Sequence, residues 1–200
     1  MKWPNRLVIA THNSAKSAQM IKILSLAQPS VEILTLADFN VDFEPEETGT
    51  TYRENAEIKA QSACERTGEW CVSDDAGLEI DFFNGSPGVY SKRFMGEKTP
   101  FEEKNRAILA DMENVPQVRR GARFQCAVCL AIPDKEPIHF FSSCDGSIAF
   151  ELNGTNGFGY DPIFYVPEFD TTMADLDDDR KFSISHRGKV FRQLIDYLNS

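Results

Sequence analysis

The stretch RLVIATHNSAKSAQMIKILSLAQPSVEILTL, residues 6–36, decides the fold class. Arg6–Thr11 is a short apolar run, the pattern of a buried strand. His12-Asn13-Ser14 reads as a turn. From Ala15 to Ala27, Ala18, Met20, Ile21, Leu24 and Ala27 fall on roughly one face at helical spacing. Val31–Leu36 predicts a second strand. Strand, loop, helix, strand is the opening of an α/β unit.

Outward from that unit, residues 42–51 (DFEPEETGTT) are acidic and loop-like. Thr50 or Thr51 is placed to cap a helix running to about Thr67, with Tyr52, Ala56, Ala60, Ala63 and Cys64 as its stripe. Gly68 stops it. Trp70–Ser73 and Leu78–Phe83 predict strands on either side of a tight Asp74-Asp75-Ala76-Gly77, and residues 84–88 form a turn. A helix starts at Thr99-Pro100, with Phe101, Ile108, Leu109 and Met112 apolar. Arg123–Ile132 and Ile138–Ser143 predict long strands joined at Pro133-Asp134-Lys135, and Ile163–Val166 a short one. Asp175–Arg180 reads as an acidic loop. The last helix begins at Ser185, with Val190, Leu194, Ile195 and Leu198 inward. The expected fold is α/β: an elongated mixed sheet with helices, in one domain over residues 1–200 with two lobes around a central cleft.

The 200 residues are 42% hydrophobic and 26% charged, which suits a single globular domain. No apolar run approaches a membrane span, and Leu7–Ala10 is too short for a signal-peptide core. Five cysteines without framework spacing point to a reducing cytoplasm. A net charge of −10 argues against nucleic acid or an anionic membrane as partner. A small anionic ligand remains open, held by locally clustered basic residues or through a bound cation.

Several stretches have chemistry to offer, each with an ordinary structural reading beside it. Thr11-His12-Asn13-Ser14-Ala15-Lys16 precedes a helix, where backbone N–H groups and a lysine favour an anion; a plain capping loop accounts for it as well. Glu46-Glu47 and Asp74-Asp75 are carboxylate pairs of the kind that hold Mg²⁺ and polarise a water; among 31 acidic residues, solvated turns explain either pair taken alone. Asn55 and Lys59 share a helix face. Lys59 borders the apolar stripe, pointing into a cleft or snorkelling to solvent, which is the commoner course. Gly157-Phe158-Gly159-Tyr160-Asp161-Pro162 lets backbone approach a ligand and offers rings to a planar base, or else forms an aromatic core turn. Lys181, His186 and Arg187 gather near the mouth of the last helix. Cys126-Ala127-Val128-Cys129 is not a metal pair, because residues three apart on a strand face opposite sides.

Their order along the chain is more telling than any one of them. THNSAK (11–16), EETGTTYRENAEIKA (46–60), SDDAGLEID (73–81), GVYSKRF (88–94), GFGYDPIF (157–164) and SHRGK (185–189) together resemble the inosine triphosphate pyrophosphatase family over essentially the whole chain. The resemblance implies an elongated two-lobed α/β fold, usually a homodimer, that converts non-standard purine nucleoside triphosphates (ITP, dITP, XTP) and water to the monophosphate and pyrophosphate with Mg²⁺. By match, Thr11, His12, Asn13, Ser14, Ala15 and Lys16 would hold the triphosphate. Glu47 and Asp75 would bind Mg²⁺, Asp75 would take the proton of the attacking water, and Lys59 would lie on the phosphates. Phe158, Gly159, Tyr160 and Asp161, with Lys181, His186 and Arg187, would form the base pocket. Asp74 is a second ligand or a support. Two positions depart from the pattern. Ala76 stands where many relatives carry Ser, and His12 where a small residue, often Gly, is common. Neither removes a charged catalytic group. The rival functions are a house-cleaning pyrophosphatase for another modified nucleotide and a nucleotide sensor without turnover.

Overall fold

A computed structural model describes residues 3–200. The described residues form two compact units: residues 3–75, 126–142 and 187–200 make the first, and residues 76–125 and 143–186 the second. Among the described residues, seven strands are hydrogen-bonded in the order β2-β1-β3-β4-β5-β6-β7. Strands β3 (Trp70–Ile80), β4 (Gly121–Ala131) and β5 (Ile138–Ile148) give residues to both units.

The first unit opens as expected, with β1 (Arg6–Ile9), α1 (Ser14–Ala27) and β2 (Glu32–Thr35). Strand β1 pairs in parallel with β2, from Arg6↔Glu32 to Ile9↔Thr35, and with β3, from Leu7↔Trp70 to Ile9↔Val72. It therefore lies between them, and right-handed crossovers in the two directions place α1 and α2 (Tyr52–Thr67) on opposite faces. Thr51 caps α2 through a capping box with Glu54, and Gly68 ends it at φ +69°. The buried face of α2 carries the expected Tyr52, Ala56, Ala60, Ala63 and Cys64, joined by Asn55 and Lys59. Helix α1 buries Met20 and Leu24, four apart, while Ala18 and Ala27 are exposed, so its stripe is narrower than the sequence pattern suggests. The closing helix α5 (His186–Asn199) buries Val190, Leu194 and Leu198 as expected, and Phe191 rather than Ile195 completes its inner face.

The second unit packs α3 (Phe101–Asp111), β6 (Phe164–Val166), β7 (Thr171–Thr172) and α4 (Asp178–Ile184) around Leu78, Ile80, Ile108, Met112, Phe124, Ile148, Ile163 and Phe164. Here the pairing is antiparallel, β5 with β6 and β6 with β7, so the whole sheet is mixed.

Three expectations are corrected. The segment Asp74-Asp75-Ala76-Gly77 is no turn: β3 runs through it without a break, from Trp70 to Ile80. Most of its side chains are buried, so the chain stays extended where its acids suggested exposure. Residues 175–180 are not simply a loop. Asp177 accepts a hydrogen bond from the Arg180 N–H at 2.8 Å and caps α4, with Asp178 and Asp179 favoured by the positive end of the helix. Strand β5 continues past Ser143 to Ile148.

Candidate active site

In the first unit the chain passes from β1 to β2 on one side and returns from β2 to β3 on the other, so the direction reverses between β1 and β3. The carboxyl end of β1 and the part of β3 just past its pairing with Ile9 flank that reversal point, where open α/β sheets hold their ligands. The Thr11–Lys16 loop follows β1 there, and β3 brings Asp74 and Asp75.

Asp74 and Asp75 are consecutive on an extended strand, so their side chains leave it on opposite sides. Each meets a different set of partners. The fully buried Asp74 accepts from Arg187 Nη2 at 2.7 Å and Nε at 3.1 Å, and its other oxygen lies 3.2 Å from Lys16 Nζ of α1. Burial alone would raise its pKa. Lys16 and Arg187 outweigh that and hold the carboxyl well below the usual carboxylate range. The Arg187 Nη1 also donates to Gln19 Oε1 at 3.0 Å.

Asp75 faces α2. Lys59 Nζ donates to Asp75 Oδ1 and to Glu47 Oε1, both at 2.9 Å. Lys59 is only 8% exposed and so does not snorkel; two carboxylates compensate its burial. Burial opposes its charge, but Asp75, Glu47 and Asp74 keep it firmly protonated. Asp75 shares that single ammonium with Glu47. Burial is the largest influence on it, Lys59 and Lys16 work against burial, Glu47 adds to it, and the net effect raises its pKa.

Asn55, missed as a site residue, ties this face together. Its Nδ2 donates to Asp75 Oδ2 at 3.4 Å, and its Oδ1 accepts from the Gly49 N–H at 2.9 Å. A Cβ at Gly49 would lie 2.6 Å from Asn55 Oδ1, so only glycine lets the acidic loop settle on α2 beside Glu47. Spacing was the available signal: Asn55 lies one helical turn before Lys59.

The anion loop is built as a helix cap. Asn13 Oδ1 accepts from the Lys16 N–H at 3.0 Å, Thr11 Oγ1 accepts from the Asn13 N–H at 3.2 Å, and Ser14 and Ala15 open α1 at the surface. His12 Nε2 lies 3.3 Å from the Phe43 carbonyl oxygen. Thr11, His12, Phe43, Lys59 and Arg66 line one open hollow. The first unit thus brings together Thr11, His12 and Lys59 at one hollow, and Lys16, Lys59 and Arg187 around the acids.

Glu47 and Asp75 both reach one cation, so two carboxylates converge on a single point. Among the described residues no group of three or more His, Cys, Asp or Glu side chains is gathered. Mg²⁺ is commonly held by one or two carboxylates, with waters and substrate phosphates as its other ligands, and the pair fits it on those terms. The five cysteines are all buried and free, Cys126 and Cys129 among them, as strand geometry implied. Among the described residues no helix is long and apolar enough to cross a membrane.

The remaining expected residues lie in the second unit. Lys181 Nζ donates to the Asn156 carbonyl at 2.7 Å and lies 3.4 Å from Asp161 Oδ2, which accepts from the Phe158 N–H at 3.3 Å. Lys181 therefore straps the glycine-rich loop. Tyr160 is buried, with its hydroxyl donating to the Ser91 carbonyl at 2.9 Å and its ring edge-on to Phe101. It acts as the loop's root, while Phe158 and Gly159 remain partly accessible. His186 stacks on Phe124 with ring centroids 4.7 Å apart. Ala76 follows Asp75 on β3 and is partly buried. Arg187, expected with the base-pocket residues, has its resolved partners in Asp74 and Gln19 of the first unit.

The chain is similar to known proteins over nearly its whole length. The model of the Ham1 family matches residues 7–197. A dITP/XTP pyrophosphatase of Vibrio parahaemolyticus is 44% identical over 98% of this chain and 97% of its own. One from Desulforamulus reducens is 43% identical over 97% of this chain and 96% of its own. The solved structure of a HAM1 protein from Coxiella burnetii superposes with a TM-score of 0.88 at 38% identity, covering 98% of this chain and 99% of that one.

Proposed function

The chain belongs to the Ham1 family, and from that premise we propose that it hydrolyses non-standard purine nucleoside triphosphates, ITP, dITP and XTP, to the monophosphate and pyrophosphate. The observation that carries the reading is Asp75: a buried carboxylate with a raised pKa, sharing the Lys59 ammonium with Glu47 at the reversal point of the sheet.

In the reaction a water oxygen bonds to phosphorus, the α–β anhydride bond breaks, pyrophosphate leaves, and the water's proton passes to Asp75. Mg²⁺, held by Glu47 and Asp75, would neutralise phosphate charge and lower the pKa of water. Lys59 and Lys16 supply positive charge toward the phosphates, and the first-turn N–H groups of α1, with Thr11, His12 and Asn13, supply donors. Arg187 is assigned to holding Asp74, the support of Lys16.

For the base, Phe158 is proposed to stack on the purine, with Gly159 and Asp161 shaping the loop around it, Tyr160 rooting that loop, and Lys181 and His186 to donate to the C6 oxygen. Adenine carries an amino donor there, so these donors would face another donor, at about 1–3 kcal/mol for each group left unpaired. Guanine shares the C6 oxygen and must be refused at its 2-amino group. The resemblance further supports a homodimer working in the cytoplasm as one functional domain. The test is pyrophosphate release from ITP, dITP and XTP against ATP and GTP in one Mg²⁺ buffer. Equal efficiency on ATP and ITP would overturn the assignment.

A further inference from the structure

We propose that Asn105 is a positioning residue for Phe158, acting through the carbonyl of Gly159; this rests on Phe158 being the base-stacking residue. Asn105 sits on the buried face of α3 between Lys104 and Ile108, with Met112 just past the helix end, and is 2% exposed. Its Nδ2 donates to the Gly159 carbonyl at 3.0 Å. Its Oδ1 is buried and makes no hydrogen bond among the described residues. A leucine would fill similar space without the unpaired Oδ1, but it would leave the Gly159 carbonyl without this donor. The contact to Gly159 is the polar interaction of this side chain, distinct from that of the neighbouring Lys104, which donates to the Lys92 carbonyl.

That contact falls where the backbone most needs it. Phe158 is flanked by Gly157 at φ +103° and Gly159 at φ +68°, a region where side-chain sterics provide little restraint. External anchors must therefore fix the direction in which the Phe158 ring projects. On the near side Lys181 Nζ holds the Asn156 carbonyl at 2.7 Å. On the far side the Tyr160 hydroxyl reaches the Ser91 carbonyl at 2.9 Å, and Asn105 holds the Gly159 carbonyl itself. Without Asn105 the peptide after Gly159 can rotate, and Phe158 spends less time in its stacking pose. Fewer competent molecules raise KM in proportion, while the Asp75 chemistry is unaffected once substrate is seated.

The experiment is a double-mutant cycle on the full chain with Mg²⁺ and ITP, using Asn105→Leu, Phe158→Ala and the pair, with Tm measured for each. Asn105→Leu is expected to raise KM about 3–10-fold, the equivalent of one hydrogen bond, with kcat within about two-fold of the parent. In the Phe158→Ala background it should add nothing further. Asn105→Ala, which leaves space instead of strain, repeats the cycle if leucine lowers Tm markedly. An equal KM increase in both backgrounds, a fall in kcat alone, or an unchanged KM beside a Phe158→Ala variant that does raise it, overturns the role of Asn105. If Phe158→Ala itself leaves KM unchanged, the stacking reading fails first and Asn105 falls with it.

Discussion

Asp74 and Asp75 are bonded neighbours whose carboxyls are driven in opposite directions: Lys16 and Arg187 hold the first deeply ionised, while burial and Glu47 push the second toward protonation. The division follows from strand geometry. One side chain faces the basic groups of α1 and α5, and the other shares a single ammonium from α2. Two adjacent acids thereby acquire different work, one as a fixed counter-ion and one as a base.

Asp75→Asn keeps the side-chain shape and removes the proton acceptor. Turnover of ITP should fall by at least about 10²–10⁴, the range for loss of a general base. Circular dichroism and Tm should stay near those of the parent, because Lys59 retains Glu47. Substantial turnover in the folded variant would remove Asp75 from the role.

Asp74→Asn should act on stability. The folded pKa is depressed below the ordinary value of about 3.9, so the stabilisation is fully present above that value and is lost as pH falls toward the folded one. At neutral pH the variant leaves the buried Arg187 without its anion, a loss of about 3 kcal/mol or more. Thermal unfolding from pH 7 to 3 should show the gap to the parent narrowing below about pH 4. A gap that stays constant over the range would contradict the ion pair.

Lys59→Met should lower efficiency on every nucleotide alike, since phosphate is common to all of them. It also leaves Glu47 and Asp75 without their shared cation. Mg²⁺ alone, with no nucleotide, should therefore raise the Tm of the variant more than that of the parent. Equal Mg²⁺ shifts would mean the two carboxylates do not form one cation site.

Arg187→Ala separates two roles. If Arg187 holds Asp74, efficiency on ITP and ATP falls together and their ratio stays within about two-fold. Phe158→Ala should likewise lower both, because stacking holds any purine. A ratio that narrows sharply in Arg187→Ala would mean that the guanidinium reads the base.

Much of this was legible in the residues. The opening strand-helix-strand declared itself through apolar runs and helical spacing, and α2 through Thr51, Glu54 and Gly68, because these are local signals. The course of β3 was not legible. Asp74, Asp75 and Gly77 carry the composition of a turn, and only partners far along the chain, Arg187 above all, make buried acids tolerable in a strand. The partners of Lys59 were not legible for the same reason: its two carboxylates come from a loop and a strand that nothing local ties to it. The cap at Asp177 was masked by two further aspartates that look like solvated charge. Asn105 was visible only as an amide in an apolar stripe, a weak sign until its carbonyl partner is known.

The first unit is assembled from three separate pieces of chain, with α5 as the last. Asp74 and Arg187 are 113 positions apart. At about 5–20 residues per second of synthesis, the nascent chain carries that aspartate for on the order of ten seconds before its guanidinium exists. During that interval the acid has Lys16 and, at longer range, Lys59 to balance it, but not the guanidinium that it bonds in the finished fold. The first unit is therefore completed only when α5 has been made. A single cut near His186 would leave α5 held by non-covalent contacts alone, so it should be more damaging than a single cut in the exposed loop at residues 134–136.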